Sequence, residues 1–134
     1  MLLDTDVLID VALDRRPFSG PASTLLDRIE QSRRRAFIAW HSVSNLYYIV
    51  APAQGKLRTR DFIVDLTRVV GVASGGAEAI RYAAGLPMAD FEDAMQVACA
   101  RACGATRIIT RNTRDYKHSP IRALSPDEAL AEIF

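Results

Sequence analysis

Five short apolar runs, each set off by a helix-like stretch, constrain this chain more than any other feature. They lie at Met1 to Asp4, Ala36 to Trp40, Val69 to Ala73, Arg107 to Thr110 and Ile121 to Leu124. Between and after them, apolar residues recur at helical spacing over 6–13, 19–34, 42–51, 59–68, 77–84, 90–103 and 126–133. Pro21 sits in the first turn of the second helix, Pro52 is expected to stop the third, and Gln54-Gly55 marks a turn. Gly104 ends the long helix from Asp90, and Ser125-Pro126-Asp127-Glu128 forms a capping box that opens the last. Short strands alternating with helices predict an α/β fold with a central parallel sheet of about five strands and helices on both faces. In such sheets ligands gather at the carboxyl ends of the strands. The residues just after each strand are therefore the ones to inspect.

The first strand ends in Asp4-Thr5-Asp6. The second ends in His41-Ser42, with Ser44 and Asn45 a turn into the next helix. The fourth ends in Thr110-Arg111-Asn112-Thr113-Arg114-Asp115, and the helix before it opens with Asp90 and Asp93, which fall on one helical face. Asp4, Asp6, Asp90, Asp93 and Asp115 can thus converge with Asn45 and Asn112. Carboxylates crowded together repel unless a cation sits among them. Carboxylates, amide oxygens and waters suit Mg²⁺ or Mn²⁺. With no serine, cysteine or histidine nucleophile in an evident arrangement, the chemistry to expect is a metal-activated water attacking a phosphodiester. Local structure offers plainer roles too. Asp90 is a good N-cap, Asp93 a good third residue after it, Asp4 a cap for the first helix, and Asp115 a turn residue.

Composition removes several classes. The chain has 134 residues, 49% hydrophobic and 25% charged, which fits one globular domain over 1–134 rather than a disordered chain or coiled coil. Lys plus Arg is 17 against 16 for Asp plus Glu, so a strongly basic nucleic-acid binder is excluded on bulk charge, although a site can be basic locally. Only Lys56 and Lys117 are lysines, and the arginine forks of the rest match phosphate. Arg33-Arg34-Arg35 ends a helix, where positive charge meets the negative end of the helix dipole. Cys99 and Cys103, the only cysteines, read as small core residues, and with His41 and His118 alone to join them a zinc site is disfavoured. The N-terminus has no signal-peptide pattern and no apolar run is long enough for a bilayer, so a cytoplasmic location is expected.

Four segments carry a family resemblance: Leu3-Asp4-Thr5-Asp6-Val7-Leu8-Ile9-Asp10, Ser44-Asn45-Leu46-Tyr47-Tyr48, Asp90-Phe91-Glu92-Asp93-Ala94 and Ile109-Thr110-Arg111-Asn112-Thr113-Arg114-Asp115-Tyr116. In order and spacing the chain resembles the PIN-domain ribonucleases, and among them the prokaryotic group that includes VapC-type toxins. The resemblance implies a metal-dependent endoribonuclease using Mg²⁺ or Mn²⁺, with RNA as substrate, an antitoxin protein as partner, and a homodimer. Carried across by position, Asp4 resembles the first family carboxylate and Asp93 the third, with Asp90 and Asp115 as further acids. Thr5, Asp6, Thr110, Asn45 and Asn112 would support the site, and Arg111 and Arg114 would meet phosphates. Two positions depart from the pattern, because Asn45 and Asn112 stand where acids are usual. An amide keeps an oxygen ligand and loses a charge, which lowers cation affinity.

Two other readings compete. A degenerate PIN domain acting as an RNA- or protein-binding module would also explain Asn45 and Asn112. A phosphatase resembling the haloacid dehalogenases would use Asp4-Thr5-Asp6 as its nucleophile motif, but its lysine could only be Lys56, which lies in a turn before a helix.

Overall fold

The computed structural model describes residues 1–32 and 34–134, so the Arg33 part of the basic run lies outside the described residues. The strands are β1 (Leu2–Leu3), β2 (Phe37–Ala39), β3 (Gly71–Ala73), β4 (Arg107–Ile109) and β5 (Arg122–Leu124). The helices are α1 (Thr5–Ala12), α2 (Ser19–Ser32), α3 (Trp40–Gln54), α4 (Lys56–Val69), α5 (Ala77–Ala84), α6 (Phe91–Ala102) and α7 (Pro126–Ile133), with one 3₁₀ turn at Thr113–Tyr116. All strand pairs are parallel, in the order β3-β2-β1-β4-β5.

The sequence explains this architecture. Each strand is only two or three residues long, and parallel strands with helices on both faces must be apolar on both sides. Leu3, Ile38 and Ile109 point to one face, where they join Val7, Leu8, Leu25, Ile29, Leu46 and Leu66 from the surrounding helices. Leu2 and Ile108 point to the other, where they meet Val97, Cys99 and Ala100 of α6 and Tyr116. Both cysteines are free; Cys99 is buried in this core and Cys103 packs against it.

Three boundaries differ from the sequence reading. Pro52 lies inside α3, which runs on to Gln54. A proline loses the bond to the carbonyl four residues back and crowds that carbonyl, but here the helix ends within a turn, at Gly55 with φ +94°. The next helix starts at once, at Lys56 rather than Thr59. The third begins at Trp40, directly after β2, although Ala39 gives no side-chain cap. Tyr48 is exposed and meets Tyr47 edge-on at 5.6 Å. Ser125 and Glu128 form the expected reciprocal capping box of α7.

The strand order carries the functional consequence. From β1 the chain winds outward to β2 and β3, then returns across β1 to β4 and β5. The direction reverses beside β1, and the crevice at the carboxyl end of that switch point is where open α/β sheets hold ligands. Asp4 follows β1 there and Thr110 follows β4, and the Asp4 N–H donates to the Ile109 carbonyl at 2.8 Å. Ile109 is fully buried. Ile109→Ala should therefore cost about 2–5 kcal/mol of unfolding free energy by urea denaturation; a change below about 1 kcal/mol would show that this strand is not the sheet's anchor.

Candidate functional site

Asp4 caps α1. Its Oδ1 accepts from the Thr5 N–H at 2.7 Å and from Gln96 Nε2 at 3.1 Å, and its Oδ2 accepts from the Tyr116 hydroxyl at 2.9 Å. The same hydroxyl lies 3.3 Å from Asp93 Oδ1. One phenolic proton cannot serve two carboxylates at once. The pair therefore lacks one positive partner, the situation a cation or an extra proton relieves.

The helices bring these groups together. Asp90 is the N-cap of α6, and its Oδ1 accepts from the Asp93 N–H at 3.1 Å. That bond fixes the first turn of α6 and turns Asp93 toward β1. Gln96, three residues on, falls on the same face. It is fully buried and also donates to Ser42 Oγ at 2.8 Å, with Thr5 Oγ1 at 3.3 Å, so it ties α6 to the ends of β1 and β2. Thr5 Oγ1 in turn donates to Ser42 Oγ at 2.9 Å.

Asp6 does a different job. Its Oδ2 accepts from Thr110 Oγ1 at 3.1 Å, the Arg111 N–H at 3.0 Å and Asn112 Nδ2 at 3.3 Å. It clamps the segment after β4 onto α1, while its Oδ1 is buried without a partner. Arg111 pairs with the buried Asp10 at 2.9 Å and lies 4.7 Å over the Phe18 ring. Its guanidinium is thus held within the protein, whereas Arg114 is exposed and free of ion pairs among the described residues. Asp115 is exposed on the 3₁₀ turn, near enough to Asp93 for its charge to be felt. Asn45 donates from Nδ2 to Glu92 Oε1 at 3.1 Å.

The electrostatics follow from crowding and burial. Asp4 titrates above the ordinary carboxylate range because burial outweighs the hydrogen bonds it accepts from Tyr116 and Thr5. Asp6 is raised to about 7, by burial and then by Asp4. Asp93 is raised to about 6, by burial, then Asp4, then Asp90. Tyr116 is pushed well up by burial and the neighbouring carboxylates, so its hydroxyl keeps its proton. Burial lowers His41, whose Nε2 has no hydrogen-bond partner and lies 3.9 Å from Glu92 Oε1.

Among the described residues, no three His, Cys, Asp or Glu side chains are grouped closely enough to cage an ion. The donor set nevertheless fits a hard cation. Mg²⁺ keeps several waters and is held by one or two carboxylates together with substrate phosphate. Asp4 and Asp93, competing for one proton, are the residues that could supply those carboxylates.

Of the residues singled out from sequence, Asp4, Thr5, Asp6 and Thr110 follow β1 and β4, and Asp93 meets them from the first turn of α6, with Asn112 bonded to Asp6 and Asn45 bonded to Glu92. Asp90 serves α6 as a cap. The sequence reading assigned no role to Tyr116, Gln96, Ser42 or Glu92. The spacing of Gln96 from Asp93 was a usable signal; nothing in the sequence marked the reach of Tyr116 back to Asp4.

The raised carboxylates give a signed prediction. Asp6 and Asp93 bind protons more tightly in the fold than in the unfolded chain, where they titrate near 3.8. The stability this contributes is complete below about pH 4 and is lost as pH rises through about 6 for Asp93 and about 7 for Asp6. In chelator, the melting temperature should therefore fall across that window. Asp93→Asn should flatten the part of the fall near pH 6 and melt no lower than the parent at pH 7.5. A variant that melts markedly lower at that pH would mark Asp93 as a structural residue.

A family model described as "PIN domain" matches residues 1–114. No curated protein matches the chain. Among solved structures, DNA-bound VapBC from Salmonella typhimurium is similar at 16% identity and TM-score 0.70, with 93% of this chain and 96% of that chain covered. VapBC-1 from nontypeable Haemophilus influenzae is similar at 17% identity and TM-score 0.68, with 94% and 97% covered. VapC20 from Mycobacterium tuberculosis, a "Sarcin-Ricin loop cleaving toxin", is similar at 15% identity and TM-score 0.63, with 99% and 95% covered. These identities speak to fold, and the fold agrees with the model match across most of the sequence: the chain belongs to the PIN domain family.

Proposed function

We propose that this chain is a one-domain, Mg²⁺- or Mn²⁺-dependent endoribonuclease that hydrolyses RNA phosphodiester bonds, and that it is the toxin of a toxin–antitoxin pair. One observation carries the activity: Asp4 and Asp93, from different elements, share the single proton of Tyr116 at the switch point of the sheet. Family membership supports it, and a structural neighbour cleaves the sarcin–ricin loop. The partner assignment is supported by neighbours that are VapBC assemblies. For the homodimer, Tyr48 and Ile49, neighbouring exposed apolar side chains on α3, are candidate contacts with a second copy of this chain.

The residues have separable tasks. Asp4 and Asp93 would hold the cation, with Asp115 and Asp90 adding negative charge beside them. A bound cation supplies an activated water and neutralises charge developing on the phosphoryl oxygens. Tyr116 keeps its proton and fixes both carboxylates. Gln96 and Thr5 hold Asp4 in its cap conformation, so that its oxygens face the cleft. Asp6 holds Thr110, Arg111 and Asn112 in place, which sets Arg114 at the rim, where an exposed guanidinium can meet a backbone phosphate. Arg111, engaged with Asp10, serves phosphate binding less directly than the sequence alone implied.

A binding-module reading has its own support, since Asn45 and Asn112 both spend their amide nitrogens on carboxylates and bring no charge. No helix among the described residues is long and apolar enough to cross a membrane.

Cleavage of a structured RNA should require Mg²⁺ or Mn²⁺ and stop in chelator. Asp4→Asn and Asp93→Asn should each lower the rate by at least about 100-fold while circular dichroism shows a folded protein. Metal-independent cleavage, or full activity in both variants, would refute the nuclease assignment. Binding of RNA without cleavage and without divalent-ion affinity would establish the module.

A further inference from the structure

Glu92 sits at the first turn of α6, next to Asp93, yet no part of the foregoing chemistry uses it. Its Oε1 is the meeting point of three side chains from the opposite wall of the cleft. Asn45 Nδ2 donates to it at 3.1 Å, Thr5 Oγ1 lies at 3.5 Å, and His41 Nε2 lies at 3.9 Å. Its Oε2 accepts no hydrogen bond among the described residues. A half-exposed glutamate at a helix start ordinarily moves freely in solvent. This one is gripped at one oxygen by α1 and α3, the elements that follow β1 and β2.

The grip fixes where the carboxylate sits. Asn45 contributes a donor and no charge, so it orients Glu92 without neutralising it. Thr5, directly after Asp4, links this carboxylate to the cap of α1 and, through Ser42 and Gln96, to Asp4 itself. Gln96, one turn beyond Glu92 on the same face, is fully buried, turns its nitrogen toward Asp4, Thr5 and Ser42, and leaves Oε1 without a partner. Buried unmet acceptors call for a donor. The waters that a hard cation keeps in its shell are such donors.

We propose that Glu92 is the third anionic group of the cation site, acting on the ion's water shell, and that Asn45 is the positioning residue that holds it there. The proposal rests on the assignment of Asp4 and Asp93 as cation ligands. It places the charge that position 45 lacks on α6, one hydrogen bond away. Because Asn45 and Glu92 touch, the carboxylate should be transferable between them.

Calorimetric titration of the full chain with Mn²⁺ tests this without recourse to activity. Glu92→Gln should weaken Mn²⁺ binding roughly 10- to 100-fold, the range for groups that act on a metal through its shell. The metal-free melting temperature should stay at the parent value, and Glu92→Asp should retain most of the affinity. Asn45→Glu should raise affinity more in the Glu92→Gln background than in the parent, a non-additivity that a Glu92 outside the cation site would not show. If Glu92→Gln binds Mn²⁺ as tightly as the parent while Asp4→Asn does not, this inference fails and the nuclease assignment stands. An effect of Asn45→Glu that is no larger in the Glu92→Gln background than in the parent would also overturn it. A parent protein with no measurable Mn²⁺ affinity would remove both.

Discussion

The shortage of positive partners around Asp4 organises this molecule. Two carboxylates compete for the one proton of Tyr116, and a third, Asp6, is held close by with one oxygen unmet. Burial makes every negative charge there costly, and proximity makes each costlier for its neighbours. A protein selected for stability alone would have replaced one of these acids with an amide or an apolar group of similar size. An external positive charge would balance the arrangement.

The fold produces this crowding by topology rather than by a dedicated loop. Strands of two or three residues leave little sheet, but their parallel pairing forces every carboxyl end to one edge. The reversal of winding at β1 opens the crevice there. Asp4 enters it because the first strand is only Leu2–Leu3. Asp93 enters because Asp90 caps α6 in register, so the bland role of one acid serves the functional role of the other. The 3₁₀ turn after β4 delivers Tyr116 from the other side. Asp6 and the Asp10–Arg111 pair are the fasteners that hold that turn against α1.

Much of this was legible in the amino-acid sequence, for a physical reason. Alternation of apolar runs with helical periodicity specifies parallel pairing, and parallel pairing specifies which edge the following residues share. Asp4, Asp93 and Thr110 were readable because each directly follows a strand or opens a helix. Pro52 misled because a proline near a helix end costs little. Arg111 was read as a phosphate contact because sequence cannot show that Asp10, a hundred residues earlier, already holds it. Tyr116 and Glu92 escaped for a similar reason. Their contacts reach across the sheet to Asp4 and to Asn45, and no local spacing encodes a hydrogen bond between elements so distant along the chain.

The proposed function stands on Asp4 and Asp93 holding a divalent cation at the carboxyl end of β1. Anomalous diffraction from a crystal grown with Mn²⁺ tests it most directly. A single strong peak should appear with an oxygen of Asp4 and an oxygen of Asp93 each about 2.0–2.6 Å away, or joined to it through one water. A peak elsewhere on the molecule, with this cleft empty at saturating Mn²⁺, would contradict it.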